Sequence, residues 1–394
     1  MKKEKIEMVW NQKKEGEDTA FLNAKAIEFH KSFSVYQKTP LVCLKNLAKK
    51  LGVNHIFVKD ESFRFGLNAF KVLGASYAIA KYISQKTGQD LKDILKTKVK
   101  PMTFVTATDG NHGRGVAWTA KQLGQKAVVY MPKGSSQERL HNIIAEGATA
   151  EITDMNYDDA VRFSEQKAKE NGWIVVQDTA WEEYTDIPTW IMQGYTTIGQ
   201  EIIEQLQGQK ITHIFLQAGV GSMAGAITGF FVNHWKEEKP IIIVVEPQKA
   251  NCLYQTAKAN DGNLHCVTGE MDTIMAGLAC GEPCSIGWNI LKGYAEAFFS
   301  CPEYVAADGM RMLAAPVKGD TAVISGESGA AGFGCMANLL QDKELEEFKK
   351  KLKLDKNSNI LCISTEGDTD AQNYQNIVWG GKYSKFEGGG KNDV

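Results

Sequence analysis

The chain lacks a long apolar run. Its longest, such as Ile241-Ile242-Ile243-Val244-Val245, are far too short to span a bilayer and read as buried strands. No apolar stretch follows the charged N-terminus, so a secretory leader is not expected. Charge of neither sign dominates: 45 Lys and Arg stand against 47 Asp and Glu, a net charge of −2, and no basic run alternates with aromatics. Neither nucleic acid nor a membrane surface is therefore expected as a partner. Internal repeats and low-complexity linkers are missing too, so any domain boundary is a matter of topology. Eight cysteines are scattered along the chain, and reduced thiols in a cytoplasm are the expectation. Only Cys280 and Cys284 form a close pair. A zinc site would need a second pair of ligands, and only His265 and Cys266 lie nearby, so no metal is expected. Pairing among Cys252, Cys266, Cys280 and Cys284 stays open.

What is present is an ordinary globular composition, 43% hydrophobic and 23% charged over 394 residues, enough for two or three domains. From about residue 55 short apolar strands alternate with amphipathic helices. Strands are expected at 55–58, 103–106, 127–131, 173–176, 214–216, 241–245 and 360–363, with a strand–helix pair over 150–171. Helices are expected at 71–83, 114–123, 137–146 and 188–206, the last with Pro188 well placed at its start. Such alternation means right-handed crossovers and mainly parallel sheet, with ligands beyond the carboxyl ends of the strands. The fold class is therefore α/β, a mainly parallel sheet arrangement flanked by helices. The segment up to Phe33 and the tail from Glu387 read as an arm and a frayed end.

Three small-residue loops fall where ligands sit in such a sheet. In the first, Lys71 follows a Gly/Asn turn among apolar and small neighbours and opens a helix. A lysine so placed can be desolvated and attack an aldehyde. The second, Thr108-Asp109-Gly110-Asn111-His112-Gly113, offers polar contacts for a ring. The third, Gly219-Val220-Gly221-Ser222-Met223, lies between a strand and a helix and offers backbone amides to a phosphate. Together they suggest pyridoxal phosphate. Each motif alone also has a bland reading: a surface lysine, a capped turn, a tight strand–helix turn. Asp178-Thr179 reads alone as a loop carboxylate, Ser364 to Asp370 as a solvated acidic turn, and His112 as a packing residue. The third loop is not a Walker loop, since no Gly-Lys-Ser/Thr follows. It is not a full dinucleotide fingerprint either, because Ala224 stands where the third glycine belongs.

Order and spacing change that balance. Thr39-Pro40-Leu41, Lys59-x-Glu61, Phe70-Lys71, Gly110-Asn111-His112-Gly113, Gly219-Val220-Gly221-Ser222, Val245-Glu246-Pro247 and Ser364 occur in one order over residues 36 to 370. In this the chain resembles the fold-type II pyridoxal-phosphate enzymes, the family of threonine and serine dehydratases and the tryptophan synthase β subunit. Asp109 departs from the serine or alanine usual there. With Asp178-Thr179-Ala180-Trp181-Glu182, Ile187 to Tyr195 and Ser364 to Asp370, it resembles the diaminopropionate ammonia-lyases within that family.

The resemblance implies β-elimination of D- and L-2,3-diaminopropionate to pyruvate and two ammonia. Lys71 would hold the cofactor as a Schiff base and act as base for the L-isomer, and Asp109 would be the base for the D-isomer. Asn111 would bond the phenolate O3′, and Gly219, Val220, Gly221, Ser222 and Met223 would cradle the phosphate. Ser364, with Thr365 as second choice, would meet the pyridine nitrogen. Asp178, Thr179, Ala107 and Thr108 would face the substrate. It also implies two open, mainly parallel twisted sheets flanked by helices, a large domain of residues 1–80 and 195–394, a small one of residues 81–194 with the cofactor in the cleft between them, and a homodimer. A serine or threonine dehydratase or a β-replacement synthase on the same fold is the nearest alternative, and a non-catalytic ligand sensor is one from another class.

Overall fold

The computed structural model describes residues 4–12, 15–108 and 110–385. Eleven strands follow in chain order: β1 (Glu7–Trp10), β2 (Leu41–Cys43), β3 (His55–Asp60), β4 (Thr103–Ala107), β5 (Lys126–Met131), β6 (Thr149–Ile152), β7 (Ile174–Val175), β8 (His213–Gln217), β9 (Ile241–Pro247), β10 (Ala295–Cys301) and β11 (Asn359–Ser364). They form two sheets. One has seven strands in the order β1-β10-β9-β8-β11-β3-β2, and the other has four, β6-β5-β4-β7. Every pairing in the smaller sheet is parallel. The larger is parallel except at its two edges, where β1 and β2 run antiparallel to β10 and β3. Near-continuous apolar strands such as Ile241 to Val245 are what a sheet covered on both faces requires, and Ile242 to Val245 are buried. The fold is therefore the mixed α/β architecture expected, with mainly parallel sheets flanked by helices.

Two helices tie the sheets together. Val72–Thr87 and Asp186–Leu206 cross closely because Gly74 and Gly194 meet there. A Cβ on Gly194 would collide with the Leu73 carbonyl oxygen and stand 2.8 Å from Gly74 Cα. The crossing fixes the helix that Lys71 opens against the one that carries Tyr195.

The N-terminal segment is not the loose arm expected from its sequence. Glu7–Trp10 adds a strand to the open edge of β10, in register from Glu7 opposite Ser300 to Trp10 opposite Ala297. Further on, Ala26–His30 is a short buried helix. The His30 ring lies 2.7 Å from Thr197 Oγ1 and 3.0 Å from the Leu73 carbonyl, which bolts the segment to both crossing helices. The tail from Glu387 lies outside the described residues. No helix among the described residues is long and apolar enough to cross a membrane.

Candidate active site

The carboxyl ends of β3, β4, β7, β8 and β11 deliver the parts of one pocket. After β3 the chain turns through residues 61–66 and passes Asn68, with Phe65, Gly66 and Asn68 all at positive φ, and reaches Lys71 at the mouth of helix Val72–Thr87. The Lys71 side chain is 15% exposed, and its Nζ lies 2.9 Å from Asp178 Oδ2, just beyond β7. Burial works to raise the Asp178 pKa. The Lys71 ammonium and then His112 outweigh it and hold the carboxyl well below the usual carboxylate range. His112 itself is buried, with Nε2 2.8 Å from the Val176 carbonyl, so it packs the loop as its bland reading required.

The glycine loop closes the far wall. Gly221 takes φ +97°, a left-handed conformation open to glycine, immediately before helix Ser222–Trp235. A Cβ on Gly219 would sit 3.2 Å from Cys280 Sγ and 3.2 Å from Leu278 Cα, so bulk there is excluded by the neighbouring loop. The Ser222 hydroxyl donates to the Asp178 carbonyl at 2.5 Å and joins this wall to the lysine side of the pocket.

β8 and β11 supply the floor. Gln217 Nε2 donates to the Ile363 carbonyl at 2.8 Å, and the Gly329 carbonyl at 3.2 Å shares its two hydrogens, which fixes its nitrogen end. The same nitrogen donates to Thr365 Oγ1 at 3.0 Å, so the Thr365 hydroxyl is an acceptor there and keeps its own hydrogen for another partner. Ser364 differs: its hydroxyl is buried against Ser325 Oγ at 2.8 Å and does not line the pocket. Of these two adjacent hydroxyl residues, only Thr365 lines the pocket.

Glu366 departs from the bland reading of its run. The run Ser364 to Asp370 read as a solvated acidic turn, yet Glu366 is 1% exposed and lines the pocket. Asn111 Nδ2 donates to Glu366 Oε2 at 2.5 Å. Tyr195 also lines the pocket, and its buried hydroxyl has no hydrogen-bond partner among the described residues.

Of the residues expected from sequence, the structure brings Lys71, Asn111, Asp178, Gly219, Val220, Gly221, Ser222, Met223 and Thr365 to one pocket. Ala107, Thr108, Thr179 and Ser364 do not line it. The backbone of Ala107 is held by the Gln177 side chain, and Thr108 Oγ1 accepts from the Gly110 amide, so both serve the loop itself. Asp109 lies outside the described residues. Gln217, Tyr195 and Glu366 escaped the sequence reading. Tyr195 and Glu366 lie within runs that carry the resemblance, and Gln217 stands two residues before Gly219, so each left only a positional signal. A second cavity of ≈ 690 Å³ adjoins the pocket, for its lining residues Ala276 and Glu327 are chain neighbours of Gly277 and Ser328 in the pocket wall.

Comparison with known proteins agrees with this geometry. Residues 33–365 match the family described as pyridoxal-phosphate dependent enzyme. The diaminopropionate ammonia-lyase of Salmonella typhimurium is 53% identical over 369 residues, which cover 90% of this chain and 91% of that one. The solved holo diaminopropionate ammonia lyase from Escherichia coli superposes with a TM-score of 0.92 at 49% identity, covering 97% of this chain and 98% of that one. A structure of the Escherichia coli enzyme in complex with an aminoacrylate-PLP azomethine reaction intermediate gives a TM-score of 0.91 at 49% identity, with the same coverage. The chain therefore belongs to the pyridoxal-phosphate dependent enzymes. Within them its place is among the diaminopropionate ammonia-lyases.

The pocket fits that cofactor. It holds an amine for the aldehyde, an amide fixed by a carboxylate, a hydroxyl with a hydrogen to give, and a glycine turn on a helix N-terminus for a phosphate. Among the described residues no group of His, Cys, Asp and Glu is arranged to hold a metal ion.

Proposed function

We propose that this chain is a carbon–nitrogen lyase that uses pyridoxal phosphate to eliminate the β-ammonium of 2,3-diaminopropionate, releasing pyruvate and two ammonia from either isomer. The observation that carries the reading is the Lys71–Asp178 pair, 2.9 Å apart and largely out of water, in a pocket that also holds the glycine cradle. Identity of 53% to a diaminopropionate ammonia-lyase over 90% of the chain supports it.

When bound, the cofactor supplies an electron-withdrawing ring that acidifies the substrate Cα–H. Lys71 would be joined to its aldehyde, the glycine loop and Ser222 would hold its phosphate, and Asn111 would face its O3′. Thr365 is assigned to the ring nitrogen in preference to Ser364, because Gln217 leaves the Thr365 hydrogen free to donate. A hydroxyl there, with no carboxylate, leaves the nitrogen largely unprotonated and suits elimination.

The chain's own groups then move the protons. For the L-isomer the freed Lys71 amine takes the Cα proton, and for the D-isomer the Asp109 carboxylate takes it from the opposite face. Asp178 receives the substrate's β-ammonium. A buried carboxylate held ionised by the Lys71 ammonium needs another cation while that nitrogen is a neutral amine, and a β-hydroxyl cannot supply one. This is the physical reason to expect diaminopropionate over serine.

The reading also includes the division into domains 1–80 with 195–394 and 81–194. In support, the larger sheet draws its strands from residues 7–60 and 213–364 and the smaller from residues 103–175. A cytoplasmic homodimer completes it, and sedimentation of the purified chain reports the dimer.

The deciding assay is pyruvate release from D- and L-diaminopropionate and D- and L-serine, side by side. Fast release from both diaminopropionate isomers with serine much slower is expected, and equal or faster release from L-serine would make the chain a dehydratase. Asp109→Asn is expected to lose on the order of 10²-fold in turnover of the D-isomer and far less with the L-isomer. Full D-turnover in that variant removes Asp109 as the second base.

A further inference from the structure

No role was assigned to Glu366 from the sequence, and its surroundings are those of a built site. Its Oε1 accepts from the Ser328 amide at 3.1 Å, and its Oε2 from Asn111 Nδ2 at 2.5 Å and Thr369 Oγ1 at 3.3 Å. Thr369 Oγ1 in turn receives Arg139 Nη2 at 3.2 Å, which leaves its own hydrogen for Glu366. The Glu366 carbonyl accepts from the Gly326 amide at 3.0 Å. A Cβ on Gly326 would stand 3.1 Å from Glu366 Cγ, and one on Gly329 2.8 Å from the Glu366 carbonyl oxygen, so the neighbouring backbone leaves this side chain no slack.

An asparagine amide can present either its oxygen or its nitrogen, since the two ends have nearly the same shape. A carboxylate only accepts, so it selects the nitrogen. One N–H of Asn111 is taken by Glu366, and the second remains. Both residues line the pocket that Lys71 enters.

We propose that Glu366 is a positioning residue that locks the Asn111 amide with its nitrogen toward the carboxylate, so that the remaining N–H is presented to the cofactor's phenolate oxygen. This rests on the cofactor reading given above. The other charges around the pair are Lys71 and Asp178 across the pocket, Arg139 behind Thr369, and Glu327 at the start of helix Glu327–Gln341. Arg139 reaches Glu366 through Thr369 and none of the four takes its place as the acceptor on Asn111. The lock works by orientation, so a neutral side chain of the same shape breaks it. In Glu366→Gln the Ser328 amide still demands an oxygen, which leaves the new NH₂ facing Asn111. The asparagine then turns its oxygen toward it and sets that oxygen beside the phenolate.

The test is an equilibrium titration of the ligand-free chain with pyridoxal phosphate, read by affinity and by the position of the absorbance band above 400 nm. Wild type, Glu366→Gln, Asn111→Ala and the double variant are compared. Glu366→Gln is expected to weaken binding about tenfold and to shift the band, with Asn111→Ala similar in size. The double variant should bind no more than about twofold more weakly than Asn111→Ala alone, because one residue acts through the other. Wild-type affinity with an unmoved band in Glu366→Gln overturns the proposal, and so do losses that multiply in the double variant. A wild-type chain with no borohydride-bleachable band overturns this inference together with the cofactor reading. A normal wild-type band with an indifferent Glu366→Gln overturns the inference alone.

Discussion

Lys59 and Lys71 stand on either side of the turn at residues 61–66. Both are withdrawn from water and both meet a carboxylate, yet the two sites differ in what is left over. At Lys59 nothing is. Its Nζ bonds Glu201 Oε2 at 2.7 Å, the Gln205 side-chain oxygen at 2.8 Å and the Thr39 carbonyl at 2.8 Å. Arg64 bridges Glu61 and Glu201 with four contacts between 2.8 and 2.9 Å. Two cations and two anions, all with fully buried side chains, close on themselves. The cluster pins the turn that delivers Lys71 to the helix Asp186–Leu206. At Lys71 capacity stays open: a Tyr195 hydroxyl without a partner among the described residues, a Thr365 hydrogen to give, a spare N–H on Asn111, and glycines where side chains would fit only badly. Buried charge by itself does not mark a functional site. Unspent hydrogen-bonding capacity beside the charge does, because leaving it unspent costs free energy that a ligand can recover.

The largest expected effect falls on the open site. Lys71→Ala should cut pyruvate release by about 10⁴-fold and abolish the band that borohydride bleaches, while the chain still folds. Substantial turnover in that variant would mean that the open site is not the catalytic one. In the closed site the cost should appear as stability. Glu201→Gln strands an uncompensated cation and is expected to lose about 3–5 kcal/mol in urea denaturation, with the absorbance band of the folded protein unmoved. A loss near that of a surface pair, under about 1 kcal/mol, would show that the cluster is not sealed.

A pH dependence sharpens the contrast between the two. Glu327 borders the large cavity and has its pKa raised to about 7, by burial first and then by repulsion from Glu366. Its folded value exceeds its unfolded one, so the folded chain holds an extra proton between about pH 4.5 and 7. The stability this confers is full below that window and is lost as pH rises through it, with a slope of at most about 1.4 kcal/mol per pH unit. Glu327→Gln should flatten that slope in denaturation measured from pH 4 to 8, and an unchanged slope would assign it to another group. Glu201, held low by Arg64 and Lys59 against its burial, works in the opposite sense: its contribution is present above the unfolded carboxylate pKa and fails only in acid. The smallest effect is Tyr195→Phe. Removing a hydroxyl that has no partner should leave the ligand-free chain as stable, or more stable by up to about 1 kcal/mol, while weakening cofactor binding about fivefold. Unchanged cofactor affinity would show that the hydroxyl serves no ligand.

Much of this was legible in the primary structure, and the parts that were not share a cause. The strands at 55, 103, 127, 214, 241 and 360 announce themselves as apolar runs between turn residues, and each appears within two residues of its expected end or start. β10 was missed because Ala295 to Cys301 follows the helix ending at Tyr294 with no turn residue between them. β1 was missed because four residues carry little pattern, and what makes them a strand is the open edge of β10, whose paired residues lie 287 to 293 positions away. Glu366 was misread for the same kind of reason. A glutamate among Thr, Gly and Asp reads as solvated until Gly326, Gly329 and Ser328 from another helix close over it.

The sequence by itself determined the alternation of strand and helix, the placing of the small-residue loops after strands, and the types of group that can bind pyridoxal phosphate. These are local properties, set by side-chain periodicity and backbone freedom within a few residues. Only the tertiary structure decided which of two adjacent hydroxyls faces the pocket, which lysine is sealed and which is open, and that Glu366 holds Asn111. Those depend on partners up to 255 positions away, whose distances are settled when the sheets and crossing helices pack, and no local pattern encodes them.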